Sequence, residues 1–234
     1  MTRFISIISG KGGVGKTTVA INLAAALRKL GKDVIILDGD LTTPAVGLYF
    51  GISNFSVDLT HVFKGENSIT ESIYLHPRGF KIIPAGLDHS KLKYVDIDFK
   101  EIFKKLEGLS EIVIIDCPSG LGKEVKSLID LSEETIVVTN PDILSVTNAL
   151  KAIKLTEENE STVLGVILNR ITGNNYEMKI KEIETFLTET IISEINEDEL
   201  ITQSRAKKIP LIFNYPAADN SRNFKMLASK LAGL

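Results

Sequence analysis

The chain has 234 residues, 44% of them hydrophobic and 24% charged, with net charge −3 and a sequence pI near 5.7. Those values suit an ordinary globular protein with a substantial core and exclude a global positive field that recruits nucleic acid or anionic lipid. The lone cysteine, Cys117, excludes an intramolecular disulfide, and no apolar run approaches the ~20 residues of a membrane-spanning helix. With Met1-Thr2-Arg3 leading straight into an apolar run and no signal peptide, the expected location is the cytoplasm.

In chain order, the first predicted strand is Phe4–Ser9 and the first helix Thr17–Leu30, with Gly31 as its C-cap. Between them lies Gly10-Lys11-Gly12-Gly13-Val14-Gly15-Lys16-Thr17-Thr18. A glycine-rich turn from strand to helix lets backbone N–H groups cradle phosphate oxygens at a helix N-terminus. Lys16 can then reach the β- and γ-phosphates, and the Thr17 hydroxyl can ligate Mg²⁺. Further strands are predicted at Val34–Asp38, Phe80–Pro84, Ile112–Asp116, Thr135–Thr139, Val163–Asn169 and Ile191–Ile195. Their continuous Ile/Val character predicts burial on both faces. Helices are predicted at Phe99–Leu106, Lys123–Leu131, Ser145–Glu157, Tyr176–Thr188 and Asn220–Leu231. Such alternation predicts an α/β, three-layer P-loop nucleoside-triphosphatase fold with a mostly parallel central sheet flanked by helices, as one domain spanning 1–234.

Ligands of such a sheet sit beyond the carboxyl ends of its strands, and polar residues gather there in this chain. Asp116 closes the apolar run Ile112–Ile115, which is the Walker B pattern of an acid that holds Mg²⁺. The following Pro118-Ser119-Gly120-Leu121-Gly122 has the glycine content of a segment that moves with the γ-phosphate. Asp38 and Asp40 flank Gly39 after the Val34–Asp38 strand, and both face the phosphate side if the chain stays extended. Asp38 can equally serve a turn by accepting local N–H groups. His61, His76 and His89 are scattered and read as surface or core residues, and Cys117 reads as a small residue packed beside Asp116.

The lysine directly after the first glycine, in G-K-G-G-V-G-K-T-T, resembles the deviant Walker A motif of the MinD/ParA ATPase superfamily, nearest its MinD branch. The resemblance runs from the P-loop to the last helix. It implies that Lys11 reaches across an ATP-dependent homodimer to the partner's phosphates, and that Asp40 positions the attacking water while Asp38 supports Mg²⁺ and the first switch. It further implies that Asp116, Pro118 and Gly120 form the second switch, and that Asn169 reads adenine. The family's P-E-D loop is matched by Asn196-Glu197-Asp198, with Asn196 in the place of proline. The expected activity is slow, Mg²⁺-dependent ATP hydrolysis that times the positioning of cellular machinery, through a protein partner or activator that the sequence does not identify.

Two other classes share this nucleotide site. A ParA-like partitioner binds non-specific DNA, and Arg205, Lys207, Lys208, Arg222, Lys225 and Lys230 could supply a basic patch. Glu194, Glu197, Asp198 and Glu199 dilute it, which favours the MinD-like reading. An Mrp-type iron–sulfur carrier needs a C-x-x-C motif, which a single cysteine cannot form. The last helix bears Phe224, Leu227 and Leu231 on one stripe that the core requires, so no intrinsic membrane anchor is expected.

Overall fold

The computed structural model describes residues 1–88 and 97–234; His89 lies outside the described residues. The strands are β1 (Arg3–Ile8), β2 (Val34–Asp38), β3 (Tyr74–Leu75), β4 (Lys81–Ile83), β5 (Ile112–Asp116), β6 (Glu134–Thr139), β7 (Thr162–Ile171) and β8 (Ile191–Asn196). The helices are α1 (Lys16–Lys29), α2 (Val46–Tyr49), α3 (Leu59–Phe63), α4 (Phe99–Leu106), α5 (Lys123–Leu131), α6 (Ile143–Glu158), α7 (Ile180–Leu187), α8 (Glu199–Ala206), α9 (Leu211–Asn214) and α10 (Asp219–Leu231). Among the described residues the strands form one sheet in the order β3-β4-β2-β5-β1-β6-β7-β8, parallel except for the β3–β4 pair.

The central strands are buried on both faces, as their unbroken Ile/Val runs require. Ile35, Leu37, Val113 and Ile115 enter the core layer under α4, α5 and α6, while Val34, Ile36, Ile112 and Ile114 enter the layer under α1 and α10. β8 departs from that expectation. It is the sheet edge, with Ser193 and Ile195 buried and Glu194 and Asn196 exposed, so its sequence alternates and the central ones do not.

Three other differences have local causes. The helix expected from Tyr176 begins at Ile180, because the Glu177 carboxylate accepts N–H bonds from Thr172 and Gly173 and closes a loop instead. The two-residue β3 exists through its pairing with β4. Helix α8 was not expected; Asp198 caps it by accepting the Leu200 N–H at 2.8 Å.

Candidate functional site

The P-loop runs from the end of β1 to the start of α1, and two of its glycines are sterically required. Gly15 is left-handed at φ +102, and Gly10 lies so close to α6 that a Cβ would stand 2.2 Å from the Asn148 carbonyl oxygen. Lys16 is buried in this cradle at the first position of α1, where its charge lies beside the helix N-terminus.

The strand ends beside β1 bring the acids in. Thr17 Oγ1 donates to Asp116 Oδ2 at 2.5 Å, while Asp116 Oδ1 is buried without a hydrogen-bond partner among the described residues. Burial pushes the Asp116 carboxyl up to about 6, against the opposing pull of Thr17 and Lys16. A hard cation relieves that strain: the Thr17 hydroxyl and the open Asp116 oxygen are the donor set Mg²⁺ favours, with phosphate oxygens and water completing its shell. The residues present therefore fit the ion that a P-loop employs.

Asp38 is placed differently. Its Oδ2 accepts the Ala45 and Val46 N–H groups, each at 3.0 Å, and its Oδ1 accepts the Asp40 N–H at 3.3 Å. The local-turn role thus describes what Asp38 does here: it fixes the loop that carries Asp40. Burial, and then the neighbouring Asp116 charge, raise its pKa well above the usual carboxylate range. Asp40 is less buried and accepts the Thr42 and Thr43 N–H groups and the Thr43 hydroxyl. Gly39 N–H donates to the Asp116 carbonyl at 2.9 Å, joining the ends of β2 and β5. Beyond Pro118, Gly120 N–H donates to the Ser9 carbonyl at 3.2 Å, so the segment after β5 is tied to the root of the P-loop.

Lys11 stays out of its own cradle. Its Nζ sits 3.1 Å from Ser145 Oγ and 3.7 Å from Asp142 Oδ1, at the exposed N-terminus of α6. Asn169, at the end of β7, is buried and donates to the Val14 carbonyl at 2.6 Å, bracing the P-loop from the side. Asn196, in the place of a proline, uses the N–H that proline lacks. It donates to Asn220 Oδ1 at 2.9 Å, and Asn220 Nδ2 returns a bond to the Asn196 carbonyl at 3.0 Å. The departure from the P-E-D pattern therefore fastens this loop to α10.

Two adjoining cavities complete the site. One, of about 380 Å³, is lined by Lys16, Thr17, Thr18, Tyr49 and the arginines Arg170 and Arg205. The other, of about 140 Å³, is lined by Asn169, Asn196, Asp198, Ile201 and Thr202. The sequence patterns give no sign of Tyr49, place Arg170 beside Asn169 at a strand end, and offer Arg205 only as part of a possible basic patch. Arg170 carries a signal of its own, a left-handed φ of +59 at a non-glycine position, and its Nε lies 3.7 Å from Glu197 Oε2. Cys117 is buried, and burial pushes its thiol up to about 12, which suits packing beside Asp116.

Residues 5–211 match the CobQ/CobB/MinD/ParA nucleotide binding domain model. An uncharacterized ATP-binding protein of Methanocaldococcus jannaschii is 38% identical over 230 residues, covering 98% of this chain and 87% of the relative. The septum site-determining protein MinD of Pyrococcus horikoshii, solved in complex with Mg-ADP, superposes with a TM-score of 0.93 at 32% identity, covering 99% of this chain and 96% of that one. The cell division ATPase MinD of Pyrococcus furiosus gives a TM-score of 0.94 at 31% identity, with 100% and 99% covered. The chain belongs to the CobQ/CobB/MinD/ParA nucleotide-binding family and resembles its MinD members along its whole length.

Proposed function

We propose that this chain is an ATPase switch: ATP with Mg²⁺ joins two copies face to face, and slow hydrolysis separates them. The observation that carries this reading is the division of labour between two lysines. Lys16 is buried in the phosphate cradle, whereas Lys11 stands outside it on Asp142 and Ser145 with 43% of its side chain exposed, where a second molecule's phosphates can recruit it. The exchange is favourable, because an exposed ion pair contributes little and a triphosphate concentrates negative charge.

In this reading Lys16 and the backbone of Gly10, Gly12, Gly13, Val14, Gly15 and Thr18 hold the phosphates. Thr17 and Asp116 hold the metal, with Asp38 ordering the loop between them and Asp40. Asp40 lines up the attacking water once the nucleotide draws its loop inward, and Asn169 faces the adenine. Binding energy goes into ordering both switches, so the nucleotide state decides when a protein partner is engaged. The test is phosphate release measured at rising protein concentration. If the dimer is the active species, the rate per molecule climbs with concentration and then levels off; a rate per molecule independent of concentration contradicts the proposal.

A further inference from the structure

We infer that Arg205, on α8, is a nucleotide-binding residue that contacts the α-phosphate at its junction with the ribose. The inference rests on the nucleotide reading of the cavities and adds a residue that the P-loop pattern does not contain.

Its position carries the argument. Only Gly15, Thr18, Arg170 and Arg205 line both cavities, so they mark the seam between the phosphate cradle and the base side. The first phosphate and the sugar of any nucleotide that fills both cavities must lie at that seam. Gly15 and Thr18 offer backbone and hydroxyl groups there, and the two arginines offer charge.

The arginines differ in availability. Arg170 has a weak, exposed ion pair with Glu197, 3.7 Å away, to give up first. Asp198, at the start of α8, accepts the Leu200 N–H and an Asn220 amide N–H, and Glu199 in the first turn accepts from the Gln203 amide at 3.3 Å. Among the described residues, Arg205 has no hydrogen bond or ion pair through its side chain, and it is exposed. Ile201 and Arg205 are four residues apart on α8, which places both on the face that lines the cavities. Tyr49 and Arg205 line the larger of the two cavities together. An unpaired guanidinium over a phosphate seam is matched to an anion by charge and by its planar fork of donors.

The experiment is calorimetric titration of the full chain with ADP, ATP and adenosine, comparing wild type, Arg205→Gln and Arg205→Lys. Arg205→Gln is expected to weaken ADP and ATP alike by about fivefold and leave adenosine unchanged, with Arg205→Lys in between. The difference should shrink as sodium chloride is raised. Wild-type ADP affinity in Arg205→Gln would overturn the inference, as would a loss confined to ATP, which would move the contact to the terminal phosphate. A lower unfolding temperature of Arg205→Gln without nucleotide would assign the side chain to the fold and also overturn it. If wild type binds neither ADP nor ATP, the nucleotide reading itself fails, which separates the two outcomes.

Discussion

At the scale of single residues, chemistry follows from what each side chain is free to do. Lys16 is the buried cation of the cradle, so Lys16→Ala should abolish binding of a fluorescent ATP analogue, read by anisotropy. Much of this was legible in sequence, because the P-loop and the acid closing Ile112–Ile115 are contiguous patterns. Arg205, Tyr49 and the Asn196–Asn220 pair were not, since each acts across 24 or more positions of chain, or through a helix whose existence had not been recognised. His76 offers a separate test at this scale. Its ring stacks on Phe80 with centroids 4.4 Å apart, and its Nδ1 accepts the Arg78 N–H. Burial, and then the Arg78 charge, lower its pKa from 6.5 to about 4. Between those values the unfolded chain binds a proton that the folded chain refuses, so stability falls as pH drops through that window. Solvent screening at this half-exposed ring limits the effect to about 1–2 kcal/mol. His76→Phe should remove that share of the acid sensitivity, read as a smaller loss of urea midpoint between neutral and mildly acidic pH than in wild type.

At the scale of elements, α10 shows why an amphipathic helix need not be a membrane ligand. Phe224, Leu227 and Ala228 are fully or almost fully buried against α1, α9 and β8. Phe224→Ala should therefore cost about 3–5 kcal/mol in chemical denaturation. Exposing the same stripe to lipid would carry a comparable penalty, so the pure chain should remain in the supernatant with anionic liposomes in ATP as in ADP. Asn220 joins α10 to the end of β8 while almost fully buried, and Asn220→Ala should destabilise by about 1 kcal/mol through the lost hydrogen bonds to the Asn196 backbone. The elements legible in sequence were those with long apolar periodicity. Helix α8 was missed because Ser204 is its one buried residue and no hydrophobic stripe announces it. Likewise β3 is a product of tertiary pairing, with little intrinsic preference in two residues.

At the scale of the whole molecule, the parallel order β2-β5-β1-β6-β7 sets the P-loop between the strand ends that carry Asp38 and Asp116 on one side and Asn169 on the other. Three of the basic residues near the C-terminus have local partners. Lys207 caps the Tyr215 ring and hydroxyl, Lys225 bonds the Pro216 carbonyl, and Arg222 pairs with Asp219. The central claim is that ATP joins two copies through Lys11 and that Asp40 ends the pairing. Light scattering of wild type, Lys11→Ala and Asp40→Ala with ATP and Mg²⁺ tests it most directly. The account predicts a dimer mass for Asp40→Ala that persists, a transient one for wild type, and a monomer mass for Lys11→Ala despite retained nucleotide binding; a Lys11→Ala dimer as stable as that of Asp40→Ala would contradict it.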